Sequence, residues 1–250
     1  MQIKGKELIG KYKETKVHVV RHAKTPNIEI KEHAERGKKV FADGCGFYKL
    51  FWIFVLGSLF GDAVETIFVR LTAGEWMSRS SLVYGQFSIV WGLGCFLLTF
   101  FLHRMIDMED RYIFIAGTVL GGAFEYLCSV FTEKIFGCIF WDYSGMALNL
   151  HGRINLLYCF FWGIVAIIWL KILYPWMSKL IERIPILIGK VLTFVMLIFL
   201  IVDCMISAAA LYRMNVRDDV PPKNRAEEYV DTHFTDEWLN NRYKNLKVVE

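Results

Sequence analysis

FYKLFWIFVLGSLFGDAVETIFV, residues Phe47 to Val69, decides the architecture. About 20 consecutive apolar residues are enough for a helix to cross the hydrocarbon core of a bilayer. This stretch meets that length, and two acids, Asp62 and Glu65, lie inside it. Four further stretches of the same character follow: Leu82 to Leu102, Tyr112 to Phe136, Ile154 to Tyr174 and Ile186 to Tyr212. The pattern predicts an all-α integral membrane protein of about five transmembrane helices. His103 and Arg104 close the second stretch and Pro175 is expected to stop the fourth. Residues 175–185 carry charges among Ile and Leu, which predicts a short interfacial helix.

Composition agrees with that reading. Hydrophobic residues make up 55% of the chain, above the 45–50% usual for soluble domains. The charges gather at the ends. Residues 1–46 hold eleven Lys or Arg against six Asp or Glu, and residues 213–250 hold seven against eight. A basic arm at 1–46 suits an anionic cytoplasmic leaflet, and the basic flanks lean slightly towards an inside N-terminus. Five spans would then put the polar tail, 213–250, on the other side. The first apolar run begins only at Phe47, so the chain is expected to keep its first helix rather than lose it as a signal peptide. The six cysteines show no CxxC spacing and read as small apolar packing residues, with no metal site and no cofactor expected. There is no phosphate-loop motif, no hydrolase motif, and no pattern that points to nucleic acid.

The first stretch also contains a repeat. Gly57-Ser-Leu-Phe-Gly61-Asp-Ala-Val-Glu65 matches Gly117-Thr-Val-Leu-Gly121-Gly-Ala-Phe-Glu125 in the third. Each copy is followed by a loop and then a Trp-Gly pair, Trp91-Gly92 or Trp162-Gly163. The chain thus reads as two helical hairpins, about 47–102 and 112–174, plus a fifth helix at 186–212. Copies two spans apart keep their orientation, so a pseudo-twofold axis along the membrane normal should relate them. Residues at i, i+4 and i+8 share one helix face. Gly57 and Gly61, like Gly117 and Gly121, therefore form a smooth seam for close helix packing that ends in a carboxylate.

An ionisable residue within a span is expensive in lipid and marks a candidate site. Glu65 and Glu125 lead the list, because paired carboxylates suit cation binding, proton relay or acid–base work. They could meet within one chain or across a homo-oligomer. The plain structural alternative is an ion pair with Arg70, Arg153 or another base. Asp62 and Asp203 could complete a polar cluster or simply bond a neighbouring helix. The loop 137–153 adds Trp141-Asp142-Tyr143-Ser144 and Asn149-Leu150-His151-Gly152-Arg153. Its Trp and Tyr suit a membrane interface, while Asp142, Asn149 and Arg153 suggest a site, with Arg153 placed to pair Asp142 or grip an anionic head group. The first repeat offers Arg79 and Gln86 in the parallel stretch.

The motifs resemble the CmpB-type family named Putative ABC-transporter permeases. They are the Gly61–Glu65 segment, Tyr84-Gly85, Trp91-Gly92, Glu125-Tyr126, the 141–154 loop motif, Trp162-Gly163, Asp203, the Arg213/Arg217 pair and the tail from Asp231 to Phe234. The resemblance spans about 47–245. Departures are Ser78-Arg79-Ser80 for Asn-Arg-Gly, Gln86 for Pro, and Tyr243-Lys244-Asn245 for a Tyr-Pro-Asn-like ending. It implies a transport subunit in the cell membrane, in contact with lipid and working with a separate ATPase. The loop 103–111 is the candidate ATPase-docking segment if the N-terminus is inside. Two other readings stand beside transport: an intramembrane enzyme acting on lipids, with Glu125 or Glu65 as acid or base and Arg153 on a phosphate, and a non-catalytic scaffold.

Overall fold

The computed structural model describes residues 40–244 and 246–248. Most of the basic N-terminal arm, residues 1–39, and Asn245 of the last motif lie outside the described residues.

Among the described residues, four helices are long and apolar enough to cross a membrane: Phe47–Ala73, Asp110–Phe136, Leu156–Glu182 and Ile186–Val216. We call the first two α1 and α3. Between them lies α2, Ile89–Leu102, extended by one 3-10 turn at His103–Met105. The fourth span is α4 (Leu156–Ile168), a π turn (Trp169–Leu173) and α5 (Tyr174–Glu182) in unbroken succession. Helix α6 is Ile186–Val216, and two short helices follow, α7 (Arg225–His233) and α8 (Asp236–Arg242).

Two boundaries differ from the sequence expectation. The second span does not begin at Leu82, because residues 74–88 form a loop and the helix starts at Ile89. Serines and a glycine explain this. Ser80 Oγ accepts the amides of Leu82 and Phe87 (both 3.2 Å), and Ser81 Oγ accepts that of Ile89 (3.0 Å). Side chains that bond local backbone this way favour turns over helix. Gly85 sits at φ +70°, where a side chain would also strike the ring of Phe87. The resulting helix is short for a span.

Pro175 does not stop the fourth span, and 175–185 is not a separate interfacial helix. Proline lacks an N–H and clashes with the carbonyl four residues back. The π turn just before it widens the helix and takes up that clash, so the helix runs on to Glu182.

The packing is that of a membrane bundle. Small or polar residues line the buried face of α1 (Gly57, Ser58, Gly61, Asp62), while Phe60, Val64, Ile67, Phe68 and Leu71 face outward. Helices α1 and α2 form one hairpin, and α3 with α4 forms the other. Helix α6 lies against both, touching α1 and α3. One end of the bundle carries the 103–109 turn and a buried Lys49, which bonds Ser178 and Glu182. The opposite end carries loop 74–88, loop 137–155 and the C-terminal tail. There Val83, Ala210, Leu211, Val230, Phe234, Leu239 and Tyr243 form one apolar cluster. Two short antiparallel ladders also lie there: β1 (Cys138–Ile139) with β4 (Lys247–Val248), and β2 (Asn149–Leu150) with β3 (Ile154–Asn155).

Candidate functional site

The two GxxxGxAxE copies make equivalent contacts. A Cβ on Gly61 would lie 2.2 Å from Trp91 Cβ, and one on Gly121 would lie 2.2 Å from Trp162 Cγ. Each glycine is thus the floor beneath the Trp of its own hairpin. The next turn repeats the match: Gly92 rests on Ser58 and Phe54, and Gly163 on Thr118 and Phe114. Glycine is required at Gly61 and Gly121 because the indole occupies the space a methyl would need.

Pressed there, each indole reaches the carboxylate at the end of its seam. Trp91 Nε1 donates to Glu65 Oε2 (2.8 Å), and Trp162 Nε1 donates to Glu125 Oε2 (3.0 Å). The two indoles then meet each other, with ring centroids 6.1 Å apart. The hairpins therefore join through a carboxylate–indole–indole–carboxylate row.

The remaining oxygens are satisfied differently. Arg79, from loop 74–88, donates Nε to Glu65 Oε1 (2.7 Å) and brings Nη2 to the same atom (2.7 Å). Glu65 is thus an ion pair, with Arg79 rather than Arg70. Glu125 Oε1 instead accepts the hydroxyl of Tyr143 (2.6 Å). Its two donors, a phenol and an indole, are neutral. Burial, then the bond to Glu125, pushes the Tyr143 hydroxyl up, with the charge of Glu65 adding to the effect. Tyr143 therefore stays protonated and donating, and it lies in the field of both carboxylates. Glu125 is 9% exposed, while the Glu65 side chain is 26% exposed.

The other expected site residues fall around this row. Asp142 Oδ1 accepts the amide (2.9 Å) and the hydroxyl (2.6 Å) of Ser144. Asn149 donates Nδ2 to Met146 O (2.7 Å) and accepts the Gly152 amide (2.9 Å). Both shape the loop that presents Tyr143. Arg153 pairs with Glu133 of α3, donates to Ser129 Oγ (3.2 Å) and covers the ring of Tyr126. It lies a turn beyond Glu125 along α3 and holds the loop down on that helix. Asp62 accepts the Arg79 amide (2.8 Å). Asp203 is separate from the row: it lies under loop 74–88, where its Oδ1 accepts the Tyr84 amide (3.2 Å) and bonds Ser207 Oγ (3.4 Å).

Several partners were not evident from sequence. Trp91 and Trp162 stand out as a repeated Trp-Gly, yet nothing in their spacing tied them to the glutamates. Tyr143 was read as an interface residue. Lys49 sits one turn into an apolar helix, and its buried partners come from residues 178–182.

Duplicated hairpins with a carboxylate at each seam define a multi-pass helical membrane protein with an internal polar row. The model of the family described as Putative ABC-transporter type IV matches residues 52–208, and the chain belongs to that family. The matched segment covers both hairpins and most of α6. No curated protein and no solved structure matches the chain.

Proposed function

We propose that this chain is the membrane subunit of an ABC-type transport system in the cell membrane, working with a separate ATPase subunit. The observation behind this reading is the row from Glu65 through Trp91 and Trp162 to Glu125, built where two equivalent hairpins join. A carboxylate in a span whose donors are neutral is costly to keep, and such residues mark transport pathways. Glu125 and Tyr143 are the groups through which cargo engages the protein. Glu65 with Arg79 supports them from the first hairpin. Asp142, Asn149 and Arg153 hold the loop that carries Tyr143, and Asp203 holds the loop that carries Arg79.

The ATPase would dock at the opposite end, on the turn between α2 and α3. Arg104, Asp107, Glu109, Asp110 and Arg111 are exposed there. Capture of the full chain from its host in mild detergent, with mass spectrometry of the retained proteins, tests this. A stoichiometric subunit with a phosphate-loop ATPase domain, lost on Arg104→Glu and Arg111→Glu substitution, is the expected result. Capture without any ATPase, also after cross-linking in the membrane, would sink the proposal.

A further inference from the structure

The C-terminal tail lays a guanidinium on loop 74–88 at one end of the bundle. Arg242, the last residue of α8, donates Nε (3.0 Å) and Nη2 (2.8 Å) to Leu82 O and bonds Gly85 O as well. These carbonyls are brought together because loop 74–88 folds back on itself around Ser80, whose Oγ bonds both. The neighbouring Tyr243 hydroxyl donates to Ser81 O (3.2 Å).

Two buried acids hold the same loop: Asp62 on α1, whose Oδ1 accepts the Arg79 amide (2.8 Å), and Asp203 on α6, whose Oδ1 accepts the Tyr84 amide (3.2 Å). They are 3% and 1% exposed. Asp203 Oδ2 has no hydrogen-bond partner among the described residues. A buried carboxylate oxygen left unpaired is costly, and a cation brought near it lowers that cost. Carbonyls beside buried carboxylates are the chemistry that holds a monovalent cation at a helix break in membrane proteins. Here the cation present is a planar, forked one, delivered on a tether.

We propose that loop 81–85 with Asp62 and Asp203 is a binding site for a monovalent cation of guanidinium type, and that Arg242 is its tethered occupant. Free guanidinium-bearing molecules compete with the tail for it. This site is separate from the row at Glu125, and its test does not depend on the transport reading.

A short tether gives its group an effective concentration on the order of millimolar, so guanidinium chloride at about 10 mM is a fair competitor. The full chain in nanodiscs is the sample, with sodium chloride at equal concentration as the control. In the wild type, guanidinium should speed amide exchange in residues 226–244 at least two-fold (about, given the range of tether effects) while sodium does not. In Arg242→Ala the melting temperature should fall, and guanidinium should restore most of the loss. Asp203→Asn should abolish both responses. An unchanged exchange rate in the wild type would overturn the proposal, even if Arg242→Ala does not fold. So would an equal response to sodium, or a response that survives Asp203→Asn.

Discussion

The first hairpin and the second carry the same seam, the same indole and the same carboxylate, but they treat the charge differently. In the first, a short loop returns Arg79 to Glu65 and the carboxylate is neutralised. In the second, the loop is longer and its arginine, Arg153, is drawn off to Glu133. Tyr143 takes its place on Glu125. An ion pair between partly buried groups holds parts together. A buried carboxylate served only by neutral donors can still accept a cation or a proton. The two repeated hairpins are therefore equivalent frames whose loops treat the carboxylate differently, with an ion pair in one and neutral donors in the other.

The largest effect should come from what the hairpins share. Gly121→Ala and Gly61→Ala each place a methyl where an indole sits, and overpacking of that kind costs on the order of 3 kcal/mol. Thermal unfolding in detergent should show both variants falling by similar amounts. A large drop in one and none in the other would break the equivalence of the two seams.

Next come the carboxylates. Glu65→Gln leaves Arg79 without its counter-ion and should cost about 2 kcal/mol, below the value for a fully buried pair because both groups are partly wet. Glu125→Gln should cost less than about 1 kcal/mol, since the amide oxygen still accepts and the Tyr143 hydroxyl can turn to accept from the amide nitrogen. Equal losses would remove the distinction between the hairpins.

A smaller effect concerns the tail that closes over both loops. Arg213 donates Nε to Asp231 Oδ1 (2.9 Å) and Nη2 to Oδ2 (2.5 Å). That bond, with the nearby Arg213 and Arg217 charges, holds the Asp231 carboxyl below the usual range. A carboxyl whose folded value lies below its unfolded one stabilises the folded form above the unfolded value, about 3.9. The contribution is lost as pH falls through the depressed value. Amide protection in residues 225–243, corrected for the intrinsic pH dependence of exchange, should therefore be steady above about pH 5 and fall below about pH 4. Asp231→Asn should remove that dependence. Pro175→Ala should do least: it lets the π turn relax to regular helix, and a shift of less than about 1 kcal/mol in unfolding is expected.

Much of this was legible in the chain. Long apolar runs mark the spans, and the repeated GxxxGxAxE with its Trp-Gly marks both hairpins. The misreadings came from features that apolar length does not record. Ser80, Ser81 and Gly85 convert the start of the second apolar run into a loop, although Leu82 and Val83 count as apolar. A π turn lets Pro175 sit inside a helix that a proline is expected to stop. The partners of the acids were hidden for a different reason. Which arginine meets which glutamate depends on where two loops fold back. In sequence Arg79 lies nearer Glu75 than Glu65, and Arg153 lies nearer Asp142 than Glu133.

The most direct test compares Glu65→Gln with Glu125→Gln in one preparation, measuring melting temperature and the ATPase turnover of the captured complex side by side. The account predicts that Glu125→Gln melts like the wild type but loses at least about ten-fold in turnover, the size expected for one lost polar contact of about 1.4 kcal/mol. Glu65→Gln should melt earlier and keep its turnover per folded molecule. Normal turnover in Glu125→Gln, with the loss falling on Glu65→Gln instead, would contradict it.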